Sequence, residues 1–340
     1  MQIKIKSNSN RLASWLIPAI VILFLIVLPF LGLSKQYINL LTLAGIFAVA
    51  VLGMELLMGF AGLLSLGQAG FMAIGAYTTA ILTVDHNMSP LPALLLAQLL
   101  TLVFALLIGK AVLRLRGYHL ALATLAFSII MQQLMTNLRD LTGGPSGLAG
   151  VPSMALGSLT LVKGLPFYYL IMVVVGLIYF LLRNLLSCRV GRAFVAVAGD
   201  ELAAATLGVN TSRYKLVAFM ISASLAALSG SFYAHYMQFI APEMTGMQTS
   251  INLVIMTALG GPGTLWGPLL GTILLTLLPN FIAFAQNYQL LLYGVIFLVT
   301  IVFFPGGLAG LTKLGYRKLA NIYANKGKSV RTVKGGKIEQ

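Results

Sequence analysis

Seven carboxylates, three histidines and one cysteine are the side chains of this 340-residue chain best suited to acid–base, metal or nucleophilic chemistry. Their spacing builds no reaction centre. The acidic residues are scattered, with no paired-carboxylate site, no G-x-S-x-G elbow and no H-E-x-x-H. His119 and His235 lie near the ends of apolar runs without a second ligand at metal spacing, and His86 beside Asp85 reads as a solvated pair. Cys188 stands alone, which excludes an intramolecular disulfide and reads as a structural thiol. Neither a catalytic residue nor a metal site is expected, so the chain reads as something other than an enzyme.

Two acidic positions still demand an explanation. One is "DELAAATLG", residues 200–208. Asp200 suits an N-cap, Asp200 and Glu201 oppose the positive end of the helix dipole, Ala203 to Ala205 favour helix, and Gly208 suits a left-handed stop. A helix of about two turns follows, too short to stand alone in water, so something must hold it. Ala203, Ala204 and Leu207 would give another protein surface a close approach, although an interfacial helix without a partner fits the same composition. The other is Glu55, the one carboxylate that falls well inside an apolar run. Its charge is costly there, so it should be protonated or hydrogen-bonded to a Ser, a Thr or backbone of the adjoining stretch 59–70. A gating role and a purely structural one are both open.

The elements that must position these residues are membrane spans. The chain is 59% hydrophobic and only 9% charged, against about 25% charged in an ordinary globular domain. Its mean hydropathy is +0.95. Apolar runs near 13–33, 38–58, 66–84, 91–109, 118–137, 165–182, 216–238, 250–260, 265–285 and 288–305 predict an all-α polytopic membrane protein. About 10 transmembrane helices are expected, or eight or nine if a short run such as the eighth dips in and returns. The run from Ala13 to Leu33 is too long for a signal-peptide core and reads as a retained first span. Residues 1–312 would form the membrane domain, with a polar loop at 186–215, and 313–340 a basic tail.

Two glycine-rich stretches break the pattern, "GFAGLLSLGQAGFMAIGAY" at 59–77 and "LGGPGTLWGPLLG" at 259–271. Broken helices survive in hydrocarbon only where protein or a water-filled path satisfies the freed backbone groups. One break in each half of the chain suggests an internal two-fold repeat and a translocation path. Glu55, Gly59, Gly62, Ser65, Gly67 and Gln68 would line it from the first break, and Gly260, Gly261 and Gly263 from the second. Close helix packing on small residues is the competing reading.

The net charge of +15 is a topology signal pointing to the lipid bilayer rather than to nucleic acid, because the basic residues flank apolar runs. With the N-terminus inside, 19 of the 22 Lys and Arg fall in inner segments and only Lys35, Arg139 and Lys163 in outer ones. Both termini are therefore expected in the cytoplasm. In the tail, "NKGKSV" imitates a phosphate-binding loop, but Ile322 stands where the pattern needs glycine.

At this point a family resemblance emerges. The Glu201-x-Ala203-Ala204 run with Gly208 resembles the coupling motif of ABC importer permeases. The two glycine-rich stretches, "TGGPSGLAGVP" (142–152), "GRAFVAVAGDELAAATLGVN" (191–210) and "YKLVAFMISASLAALSGSFYA" (214–234) are similar to LivM-type permeases of branched-chain amino acid uptake. The likeness runs from about residue 37 to 305. It implies that Asp200, Glu201, Ala203, Ala204, Leu207 and Gly208 dock on an ATPase. It also implies a second, LivH-like permease subunit, two ATP-binding subunits, an external substrate-binding protein and the bacterial inner membrane. The chain itself would carry no cofactor, ATP being bound by the partners. Gly208 lies seven residues after Glu201 where the general importer motif has six, and Val195 and Ala198 stand near positions where the family usually has arginine. Related permeases for urea, short amides or other amino acids are an alternative, and a stand-alone carrier using Glu55 as its ion site is a third.

The charge distribution makes a direct prediction. A reporter fused after Gln340 should report the cytoplasm, and a tag in the 142–152 loop should be labelled from outside; the reverse at both sites would overturn the orientation.

Overall fold

A computed structural model describes residues 34–156, 159–161, 163–281, 289–303 and 306–310. The expected first span at 13–33 and the tail at 313–340 lie outside these described residues. Within them, five helices are long and apolar enough to cross a membrane: Lys35–Phe60 with its terminal π-turn, Pro90–Val112, Tyr118–Asn137, Leu165–Ser187 and Thr211–Met237. Gln68–Val84 and Met247–Gly260 are shorter apolar helices. The all-α membrane class expected from composition is what the chain forms.

Three helices make the centre. Helix α1 (Lys35–Glu55) is apolar on every side, as a helix enclosed by others must be, and it is almost wholly buried from Ala44 to Glu55. It runs antiparallel to the 27-residue helix Thr211–Met237: Ser229 Oγ donates to the Ile46 carbonyl at 2.7 Å, and Tyr236 Oη to that of Asn39 at 3.2 Å. Helix α2 (Gln68–Val84) runs parallel to that same long helix. The backbones cross closely there, because a Cβ on Gly75 would overlap the Ala227 carbonyl group and one on Gly230 the Met72 carbonyl group. Thr79 and Ser231 hydroxyls meet at 2.8 Å across the same contact. Small residues and shared hydroxyls replace the hydrophobic driving force that helices lack inside lipid.

Around this centre stand α3 (Pro90–Val112), α4 (Tyr118–Asn137) and, after the short α5 (Arg139–Thr142), α6 (Leu165–Ser187). They are mostly exposed, and they present outward rows such as Leu95, Leu99 and Leu107, as helices facing lipid do. Next come α7 (Arg189–Gly199), the six-residue α8 (Glu201–Thr206), and α9, the long helix already described. Helices α10 (Met247–Gly260) and α11 (Trp266–Phe281) form an antiparallel hairpin against α1, with Gly260 and Gly271 at their crossing, and α12 (Gln289–Phe303) packs on α10.

The expected eighth run is only part of a crossing. Helix α10 has 14 residues, about 21 Å at 1.5 Å per residue. It starts partway along the bundle, after a 3₁₀ turn (Pro242–Thr245) packed on α2 and α4. Short strands, the exception to an all-helical chain, tie the connections at that end. β1 (Leu148–Ala149) pairs antiparallel with β4 (Phe239–Ile240), and β2 (Met154–Leu156) with β3 (Leu159–Leu161). His235 Nδ1 lies 2.8 Å from the Pro152 carbonyl, which gives this histidine a structural place in the same tie.

The α2–α9 crossing leaves no space for a side chain. Gly75→Leu should therefore lower the thermal unfolding midpoint in detergent by several degrees or abolish monodisperse protein, since overpacking costs about 1–3 kcal/mol or more. Gly176 of α6 has open space where a side chain would go, and Gly176→Leu should leave the midpoint within about 2 °C of the parent.

Candidate functional site

The basic end of the bundle, where Arg116, Arg189, Arg192 and Lys215 gather, carries the polar loop. Helix α6 ends at Ser187, and Gly191 packs so tightly on the Leu186 backbone that the chain turns a sharp corner into α7. Cys188 sits exposed on that corner, not within the core. Helix α7 is amphipathic: Gly191, Ala193, Phe194 and Val197 face the protein, while Arg189 and Arg192 face out. Phe194 meets Tyr214 of α9 edge-on at 6.2 Å.

Helix α8 follows as its sequence demands. Asp200 Oδ1 accepts from the backbone N–H groups of Leu202 at 2.8 Å and Ala203 at 3.0 Å, capping the start. Gly208, with φ +83°, ends it in the left-handed region with open space around it, so its backbone and not crowding requires glycine. The face differs from the expected one. Ala204 is buried against its own chain, and Glu201 turns inward to Lys215 Nζ at 2.5 Å, with Arg116 Nε at 3.6 Å. The hydrogen bond from Lys215, helped by the charges of Lys215 and Arg116, holds the Glu201 carboxyl below its ordinary range despite partial burial. What the helix offers outward is Ala203 and two leucines, Leu202 and Leu207, the latter 84% exposed. Lys215 and Leu202 were not among the expected site residues; the +14 register of Lys215 from Glu201 spans two elements and shows in no single helical pattern.

The first break lies deeper. Beyond α1 the chain takes a π-turn, Leu56–Phe60, with Ala61 N–H donating to the Leu56 carbonyl at 3.0 Å, and then runs irregularly to Gly67. Glu55 is fully buried, and its carboxylate folds over Gly59, where no Cβ would fit. Its partners are not in 59–70 as expected. Oε1 accepts from the N–H groups of Gly263 at 2.6 Å and Thr264 at 3.1 Å, so the carboxylate of one break holds the backbone of the other. Oε2 has no hydrogen-bond partner among the described residues.

Past Gly62, hydroxyls from two helices, α4 and α10, satisfy the freed backbone. Leu66 N–H donates to Thr124 Oγ1 at 2.9 Å, Ala69 N–H to Ser250 Oγ at 3.1 Å, and Gly70 N–H to Ser128 Oγ at 3.2 Å. Ser128 Oγ donates onward to the Leu66 carbonyl at 2.9 Å, and Gln68 Nε2 to Ser222 Oγ at 2.9 Å. Ser65, Gly67 and Gln68 are thus brought together inside the bundle, whereas Gly59, Gly62 and Gly263 lie nearer the surface of the basic end. Gly260 and Gly261 press against the backbone of Gly267 and Gly306, which is close packing. Thr124 and Ser128, one helical turn apart on α4, were the overlooked signal for this polar layer.

A bundle of apolar helices with two internally satisfied breaks and a docked two-turn helix at its basic end defines a membrane permease. The chain belongs to the family described as the permease component of branched-chain amino acid transport systems, whose model matches residues 36–301. It is 32% identical to the high-affinity branched-chain amino acid permease LivM of Escherichia coli over 308 residues, covering 84% of this chain and 72% of that one. It is 27% identical to the permease BraD of Pseudomonas aeruginosa, covering 81% and 95%. The autoinducer 2 import permease LsrC of Yersinia enterocolitica is 28% identical, covering 72% and 69%. No solved structure matches the chain significantly.

The inward ion pair has a pH signature. A depressed carboxyl contributes stability that is complete above its unfolded value and is lost as pH falls through the lower folded value. Glu201→Gln should cost about 2 kcal/mol at pH 7, because Lys215 is left buried beside a neutral partner. Thermal unfolding of parent and variant should converge only in acid, below the ordinary glutamate range.

Proposed function

We propose that this chain is the transmembrane permease subunit of an ATP-driven importer of branched-chain amino acids in a bacterial inner membrane. It works beside a second, LivH-like permease subunit, receives substrate from an external binding protein, and takes mechanical work from two ATP-binding subunits. ATP hydrolysis belongs to those subunits. In this reading the basic end is cytoplasmic, as are both termini, about ten spans with an internal two-fold repeat make up the membrane domain, and the breaks at 59–70 and 259–271 border the route of the substrate.

The observation that carries the reading is the outward face of α8. A capped two-turn helix with Leu202 and Leu207 in the open presents apolar area that water disfavours and an ATPase groove would cover. Glu201, turned inward, supports the helix from behind and is not a direct contact. The likeness to LivM supports leucine, isoleucine and valine as substrates, and the apolar interior is compatible with them. The relatives named for autoinducer 2 import make substrate the finer question. A carrier driven by an ion gradient fits less well, because the Glu55 carboxylate is engaged by two backbone N–H groups.

The test is uptake of leucine into vesicles holding this chain with its second permease, ATPases and binding protein. ATP-dependent uptake is expected, and Leu207→Asp should lower both uptake and substrate-stimulated hydrolysis at least tenfold without loss of membrane insertion. Leucine uptake driven by an ion gradient without ATP would refute the importer, and ATP-dependent uptake of autoinducer 2 but not of leucine would refute the substrate.

A further inference from the structure

The two breaks and the polar loop meet at the π-turn. A Cβ built on Gly62 would lie 3.1 Å from both the Cα and the Cβ of Ala198, so the last turn of α7 rests directly on the backbone just after the π-turn. Gly62 has φ +68°, and an L side chain there would be strained as well as crowded. The small side chain of Ala198 is what permits the contact. The turn is bonded within itself, by Ala61 N–H to the Leu56 carbonyl and Leu63 N–H to the Leu57 carbonyl at 2.9 Å, so a push on Gly62 is delivered to the whole turn. On its other side Gly59 faces the Gly263 N–H, and Glu55 grips Gly263 and Thr264.

We infer that Glu55, the π-turn Leu56–Phe60, Gly62 and Ala198 form a contact relay that moves both broken segments together when α7–α8 is displaced. The inference rests on the importer reading and adds the positioning residues through which work reaches the membrane interior. Two features suit the turn to this task. A π-turn has a neighbouring α-helical arrangement one residue away in register, so it offers two discrete states and not a continuous bend. The Glu55 carboxylate uses Oε1 for both N–H groups and leaves Oε2 free among the described residues, so it can exchange donors by rotation and keep its hold on the 261–265 turn throughout. Phe194 of α7 also meets Tyr214 of α9 edge-on at 6.2 Å, a second contact of α7 with the bundle.

The test uses the complete complex in vesicles and reads leucine taken up per ATP hydrolysed, with complex yield and unfolding midpoint measured alongside. Ala198→Leu, at an exposed position where folding is not at stake, wedges α7 away from Gly62; Glu55→Ala removes the grip on the second break. Each should lower uptake per ATP at least tenfold, and Glu55→Gln, whose amide oxygen accepts the same two N–H groups, should recover it to within about threefold of the parent. A merely structural Glu55 would lower uptake and hydrolysis in proportion to lost complex. That proportional loss, or a ratio within twofold of the parent for Ala198→Leu, would overturn the relay. If the parent complex itself shows no ATP-dependent uptake, the importer reading has failed and not the relay alone.

Discussion

Every backbone N–H and C=O at membrane depth must find a partner within the protein, because lipid supplies none. In this chain that constraint is hardest at the two breaks, where helices stop and their bonding ladders stop with them. It is met in two ways. Side-chain hydroxyls of Thr124, Ser128 and Ser250 accept from the backbone leading into α2. The Glu55 carboxylate accepts from the turn that joins α10 to α11. An unpaired buried donor costs about 1–3 kcal/mol, so the hydroxyls that accept from the buried Ala69 and Gly70 decide where that segment lies.

The rest of the bundle follows from holding those acceptors in place. Ser250 reaches α2 only because α10 begins partway along the bundle, after a 3₁₀ turn packed on α2 and α4. Glu55 reaches Gly263 only because the α10–α11 hairpin lies against α1. The central helices are in turn brought close by glycine and alanine, with Gly75 and Gly230 allowing α2 and α9 to touch backbone to backbone. Bulky side chains such as Phe71, Leu52 and Phe219 fill the core between these crossings, while the outer helices turn leucines such as Leu95, Leu99 and Leu107 outward.

At the basic end the same economy of polar groups serves a surface. Glu201 neutralises the buried Lys215 and fastens α8 to the first turn of α9, while Asp200 and Gly208 set where α8 begins and ends. With its polar groups used internally, the helix is free to show leucine outward. Arg189 and Arg192, on the preceding helix α7, are exposed.

Composition and apolar run length determined that this is a helical membrane protein with a glycine-rich interruption in each half, and capping chemistry that 200–208 holds a capped two-turn helix, while the family resemblance rests on matched sequence motifs. These are local properties: hydrocarbon length, glycine density and capping chemistry act within a few residues of one another. The partners were decided by the tertiary structure. Glu55 lies 208 residues from Gly263 and Glu201 turns toward Lys215, and no sequence period relates either pair. Ala204 reads as a docking residue in sequence and is buried in the fold, because which side of a six-residue helix faces the protein depends on what packs behind it. The shortness of α10 likewise comes from the turn at 242–245 finding a seat between α2 and α4, a contact between surfaces that are remote along the chain until the helices assemble.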